Sequence, residues 1–212
     1  MTIAEALHDA TPTPEDVAAD SSTFSPIRWK TGWPHHLRRV PPFRDDATAS
    51  LTRRDVFLFA QDVVDSEYNR DQIIDFLGAA FAFAAGQSNQ VMQLQQFLRN
   101  KHKANQLLQA IRNIGGKSAV DAYASLVETG LAPKFASHVA YFLAGPQEAG
   151  DEKPVIICSK RAAGAGLSKD ADWTADDYAE YLTALREARD AHDSSLPLDA
   201  VCLLYTSPSP RD

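Results

Sequence analysis

The chain has 212 residues, 44% of them hydrophobic and 23% charged, the make-up of a globular protein long enough for one sizeable core. No apolar run approaches the roughly 20 residues of a membrane-spanning helix, so no membrane partner is expected. The net charge of −7 speaks weakly against nucleic acid, yet residues 23–134 carry fourteen Lys/Arg against ten Asp/Glu, a modestly basic middle between acidic ends.

Residues 1–22 begin MTIAEALHDATPTPEDV, without the basic start and apolar core of a signal peptide. They read as a polar extension expected to be disordered, and the protein is expected to be cytoplasmic. Residues 23–50, with SPIRWKTGWPHHLRRVPPF, read as an ordered but irregular wrap. Its Trp29 and Trp33 either pin the loop to the core or stack on bases. A series of helices follows. Thr52 caps one with Val56, Phe59, Ala60 and Val63 on one face. Asn69 caps the next, where Ile73, Ile74, Leu77, Ala80, Phe81 and Ala84 form an apolar surface broad enough for a central, buried helix. Gly86 and Ser88 break it. Residues 90–113 form one or two helices with Met92, Phe97, Leu98, Leu107, Leu108 and Ile111 inward, stopped by Gly115 and Gly116. Ser118 caps another, with Val120, Tyr123, Ala124 and Val127 spaced along one face and Gly130 at its end.

Beyond the acidic loop QEAGDEKP come a short apolar run, Val155 to Ile157, and an Ala/Gly-rich helical turn to Gly166. Thr174 caps a final helix with Tyr178, Leu182 and Leu185 inside. No internal repeat and no strand ladder is evident, and the expected class is all-α. The tail CLLYTSPSPRD, residues 202–212, matches the translation of a transposase-type sequencing adapter and is read as non-native, a natural Ser/Pro tail being the alternative. On that reading residues 23–201 are a helical domain whose own C-terminus lies beyond. Cys158 is then the sole cysteine, which excludes a disulfide or a cysteine-based zinc site. No metal and no cofactor are expected.

Residues 118–144 read as helix, glycine turn and helix: VDAYASLVETG, LAP, KFASHVAYFLAG. Pro133 suits the first helical position, where its fixed φ fits and its missing N–H is not needed. The N–H groups opening the second helix point outward and can hold a phosphate. Alone the pattern is weak, since any helical bundle contains helix pairs. With PVIICSKRAA following at the right distance, it resembles the helix-hairpin-helix DNA glycosylases, most closely the bacterial 8-oxoguanine DNA glycosylase OGG-fold proteins. LAPKFASHVAYF matches the opening of that family's second hairpin helix and VIICSKRAA its later segment. TRRDVFLFA upstream and DWTADDYAEYLTAL downstream also fit, so the resemblance spans Trp33 to Val201. It implies a glycosylase-like helical domain with an irregular N-terminal wrap, acting in base excision repair on oxidised purines flipped out of DNA.

In such enzymes a lysine of the second hairpin helix attacks the sugar C1′, and an aspartate in the later segment stabilises the developing sugar cation. The resemblance puts the lysine position on His138 and the aspartate position on Cys158. Imidazole does not form the Schiff base that an amine forms, and a thiol brings no fixed negative charge. A degenerate site on an intact frame is therefore expected, with DNA as a weak to moderate partner and excision lost. Each residue also has a plainer reading: His138 as a buried histidine bonded to backbone, Cys158 as a small buried hydrophobe. Lys134 and Lys160 flank the two positions and are substitute amines, although Lys134, one turn before His138, is expected to face solvent or phosphate. Candidate DNA contacts are Lys134 and Ser137 on the hairpin, with Arg99, Lys101, Lys103, Arg112 and Lys117; a solvated helical face is the alternative. Asp170 and Asp172 precede the last helix and read as displaced catalytic carboxylates or, more plainly, as acids placed at a helix N-terminus. Two further functions stay open: an active monofunctional glycosylase using water and another carboxylate, and a helical protein-interaction module with no nucleic-acid partner.

Overall fold

The broadest apolar surface in the sequence becomes the centre of the fold. In the computed structural model, which describes residues 11–158, 162–163, 167 and 172–203, the helix Arg70–Ala85 is buried at every position from Ile73 to Ala85. Asn69 opens it, its side chain accepting from the Asp71 N–H. Gly78 is obligatory in the middle: a Cβ there would stand 2.8 Å from the Pro41 side chain, so the N-terminal wrap crosses the helix at this point.

In chain order the helices are α1 (Pro14–Ala19), α2 (Pro26–Gly32), α3 (Arg53–Asp65), α4 (Arg70–Ala85), α5 (Gln90–Arg99), α6 (Lys101–Arg112), α7 (Ala119–Val127), α8 (Pro133–Leu143), α9 (Ala175–His192) and α10 (Leu198–Leu203). Helices α3, α5 and α8 pack on α4, and α9 packs on α7. The class is all-α. A small departure is an antiparallel pair, β1 (Ser21–Phe24) and β2 (Ala49–Thr52), with Ser21 opposite Thr52 and Phe24 opposite Ala49. At four residues each, these strands are too short to show a readable alternation.

The N-terminal extension also departs from expectation. Thr13 and Asp16 form a capping box that starts α1, Val17 packs with Ala200 and Leu203, and Asp20 pairs with Arg53 at 2.8 Å. One apolar anchor and one cap suffice to fix a segment whose composition is otherwise polar. Residues 1–10 lie outside the described residues. Trp29 and Trp33 are 0% and 5% exposed and hold the wrap to the core. The run 90–113 is two helices, divided at Asn100, whose side chain accepts from the His102 and Lys103 N–H groups. Met92, expected inward, is 58% exposed, because Val91, Leu94 and Leu98 set the buried stripe of α5 and Met92 lies off it. Helix α10 runs through Leu203, which is buried, so the segment read as non-native begins inside a helix; residues 204–212 lie outside the described residues.

Candidate active site

The hairpin of α7 and α8 is built from local signals. Ser118 accepts from the Asp121 N–H at 3.1 Å and donates to the Asp121 carboxylate at 2.7 Å, fixing the start of α7. Gly130, at φ +82°, makes the turn. A side chain at Gly130 would crowd the Lys103 amine, since a Cβ would meet Nζ at 3.4 Å. Pro133 then starts α8, in which every residue from Phe135 to Phe142 is buried.

The later segment lies along the first turns of α8, and hydrogen bonds place it there. Gln147 donates to the Pro154 carbonyl at 2.7 Å, and the Tyr178 hydroxyl accepts from Val155 N at 2.9 Å while donating to Val155 O at 2.8 Å. Tyr181 donates to Ile156 O at 3.3 Å. Ile157 N donates to Ser137 Oγ at 3.0 Å, which joins the segment directly to α8. Ser137, read from the sequence as a candidate DNA contact, is 0% exposed, and its hydroxyl also donates to Lys134 O at 2.8 Å.

His138 is 6% exposed, its ring tilted against Phe83 with centroids 6.3 Å apart. Its Nδ1 stands 2.7 Å from Lys134 O; since a carbonyl only accepts, that nitrogen carries the proton and donates. This is the buried histidine tied to its own helix. Lys134 was expected to face solvent or phosphate. It is half-buried, its Nζ stands over the Phe135 ring 5.7 Å from the centroid, and Nζ donates to Gln90 Oε1 at 2.8 Å. Burial holds its amine below the usual lysine value, partly opposed by the nearby Cys158 thiol. Cys158 is half-buried. Lys160 and Asp170 lie outside the described residues.

Arg99, Lys101, Lys103, Arg112 and Lys117 are all exposed, as phosphate contacts must be. Lys103 sits at the hairpin turn, where it lines a cavity of about 400 Å³ with Phe97, Asn100, Gly130, Ala132 and Phe135. Arg99 donates to Gly32 O at 3.4 Å. Lys117 lines a separate polar groove of about 540 Å³ with His102, Gln109 and Glu128. Among the described residues no group of His, Cys, Asp and Glu could hold a metal ion, and no helix is long and apolar enough to cross a membrane.

The far end of α8 holds a buried polar chain that the sequence did not announce. Arg53, 1% exposed, pairs with Asp20 and donates to Tyr141 Oη at 3.2 Å; Tyr141 donates to Asp199 at 2.8 Å. Asp199 N in turn donates to Gln147 Oε1 at 3.1 Å. Burial raises the Asp199 carboxyl above its ordinary value and pushes the Tyr141 hydroxyl up as well. The one sequence signal was an arginine directly after the α3 cap in an otherwise apolar stripe.

One family model, described as Putative 8-oxoguanine DNA glycosylase OGG-like protein, matches residues 15–204. The chain belongs to this family. The match covers the OGG-like chain from α1 past α10, including the wrap, the hairpin and the segment at 154–158. Its function is thereby DNA-glycosylase-like, and membership in the OGG-like family implies DNA binding. No curated protein and no solved structure matches the chain.

Proposed function

We propose that this OGG-like protein binds DNA on its hairpin side, recognises an oxidised purine there, and does not excise it. The observation that carries this reading is the environment of His138. The family resemblance assigns a lysine nucleophile to that position, whereas His138 is buried and bonds back to its own helix. Cys158 occupies the position assigned to the aspartate. Base departure passes through an oxocarbenium-like state, which a fixed carboxylate stabilises; a cysteine side chain does not replace that carboxylate. Lys103 beside the Gly130 turn supports phosphate contact near the start of α8.

The test is a duplex carrying a single 8-oxoguanine, incubated with and without borohydride. The expected result is binding, no free base and no trapped adduct. Free base without an adduct supports the active monofunctional enzyme instead. An adduct on this intact lesion overturns the reading of a lost activity. Absence of binding at low salt leaves the protein-interaction module, for which the net charge of −7 speaks.

A further inference from the structure

We propose that the N-terminal wrap carries a second phosphate site, separate from the hairpin, in which Arg38 and Lys101 hold the backbone of duplex DNA beside His36. The identity of the polyanion rests on the DNA-directed reading above; the site is argued from where the fold pools its charge. The chain has a net charge of −7, yet it has no Asp or Glu from Ser21 to Arg44 or from Phe76 to Val120. These two stretches are distant in sequence and pack on each other. Arg28 of α2 donates to Gln87 O, Ser88 O and Asn89 Oδ1, just ahead of α5. Gln95 of α5 donates back to Arg28 O at 2.9 Å, and Arg99 donates to Gly32 O at 3.4 Å. The fold thus joins two acid-free stretches in a chain whose acids outnumber its bases.

Where they meet, the wrap makes a 3-10 turn, His35–Leu37, followed by Arg38 in the left-handed region at φ +59°. Arg70, which opens α4, donates to Leu37 O at 2.8 Å and holds the turn in place. His36 is half-buried, and burial, then the charges of Lys101 and Arg70, holds its ring below the usual histidine value. The ring therefore senses a positive field at this junction. Arg38 and Lys101 are both exposed, and neither pairs with a carboxylate among the described residues. Arg39, the next residue, is neutralised by Asp71 and Asp75, whereas Arg38 is left to solvent.

Helix α6 opens with Lys101, His102 and Lys103 and no acid, although a helix N-terminus already carries partial positive charge. Each of α3, α4, α7 and α9 has an acid in its first turn. Cations crowded without internal compensation repel one another, and an external anion relieves that repulsion. The site adjoins the hairpin surface without being part of it. Asn100 and Lys103 line the cavity at the Gly130 turn, while Lys101, between them in sequence, acts on His36. A backbone held at the turn by Lys103 can continue over the α5–α6 junction to Lys101 and Arg38, which lengthens its footprint.

The experiment uses the full chain and a duplex carrying one 8-oxoguanine, with a series in which single phosphates are replaced by neutral methylphosphonates. The variants are K101Q, R38Q and the two combined. Thermal melts check that they fold, and K101Q alone is read if R38Q does not. The slope of log affinity against log salt is expected to fall by about 1 in each single variant and about 2 in the double. The methylphosphonates that weaken wild-type binding fall into two groups, one silent in K103A and the other silent in K101Q. The His36 ring signal, assigned by its loss in H36Q, titrates at higher pH in the complex, because phosphate cancels the field of Lys101. An unchanged slope in K101Q and R38Q, a single group of sensitive phosphates, or an unmoved His36 overturns the proposal and leaves the DNA-binding reading standing. Competition by poly-glutamate as strong as by duplex, at equal charge, overturns it in favour of an acidic protein partner. No binding of any duplex at low salt removes the DNA-directed reading and this phosphate site with it.

Discussion

Replacing Arg53 with methionine should be among the most damaging single changes outside the apolar core. The guanidinium is 1% exposed and pairs with Asp20 through Nε and Nη2, both at 2.8 Å. It also donates to Tyr141, which in turn donates to Asp199. Methionine fills most of the volume but leaves two carboxylates, Asp20 and the buried Asp199, without their cation. Breaking a buried pair by removing one partner costs about 3–5 kcal/mol. For a fold of this size each kcal/mol moves Tm by about 2–4 °C, so a fall of roughly 6–20 °C is expected. Urea unfolding of R53M at neutral pH, with the slope held to the wild-type value, measures the loss. A loss below about 1 kcal/mol would refute the view that this chain of polar groups fastens α1, α3, α8 and α10 together.

Other outcomes follow from the same contacts. S137A leaves the Ile157 N–H buried without its acceptor and should cost about 1–3 kcal/mol, read from the urea midpoint. The Asp199 carboxyl is raised in the fold, so its contribution to stability is complete below about pH 4 and is lost as pH rises through the folded value. D199N, which keeps an oxygen for Tyr141, should therefore flatten the decline of Tm as pH rises above about 4; an unchanged slope would count against this assignment. K103A should weaken duplex binding about equally across sequences and reduce the salt slope by about 1, in filter-binding titrations. An unchanged slope would place Lys103 off the DNA.

The frame was legible because helix signals are local. Thr52, Asn69, Ser118 and Thr174 each cap the helix expected of them, and the apolar breadth of residues 73–85 announced a buried centre. The hairpin and its partner segment were legible for a related reason: Pro133 and Gly130 mark their positions whatever packs around them. What escaped was whatever depends on distant partners. Lys134 looks solvent-facing by helical phase, and only Gln90, forty-four residues away in sequence, turns it inward. Ser137 looked like a surface hydroxyl because nothing local reveals that Ile157 N will reach it. The Arg53 chain joins residues 20, 53, 141 and 199, and no window of sequence contains two of its links. Met92 was misplaced for a simpler reason, since a neighbouring stripe of valine and leucine outcompeted it for the buried face.

The central claim is DNA recognition without base release. It is tested most directly by incubating excess protein with a duplex carrying one 8-oxoguanine, recovering the complex, and measuring how much of the lesion remains in the bound strand. The expected result is a complex at low salt in which all of the 8-oxoguanine is still attached to its sugar. Loss of the base from the bound strand, or failure to recover any complex at low salt, would contradict it.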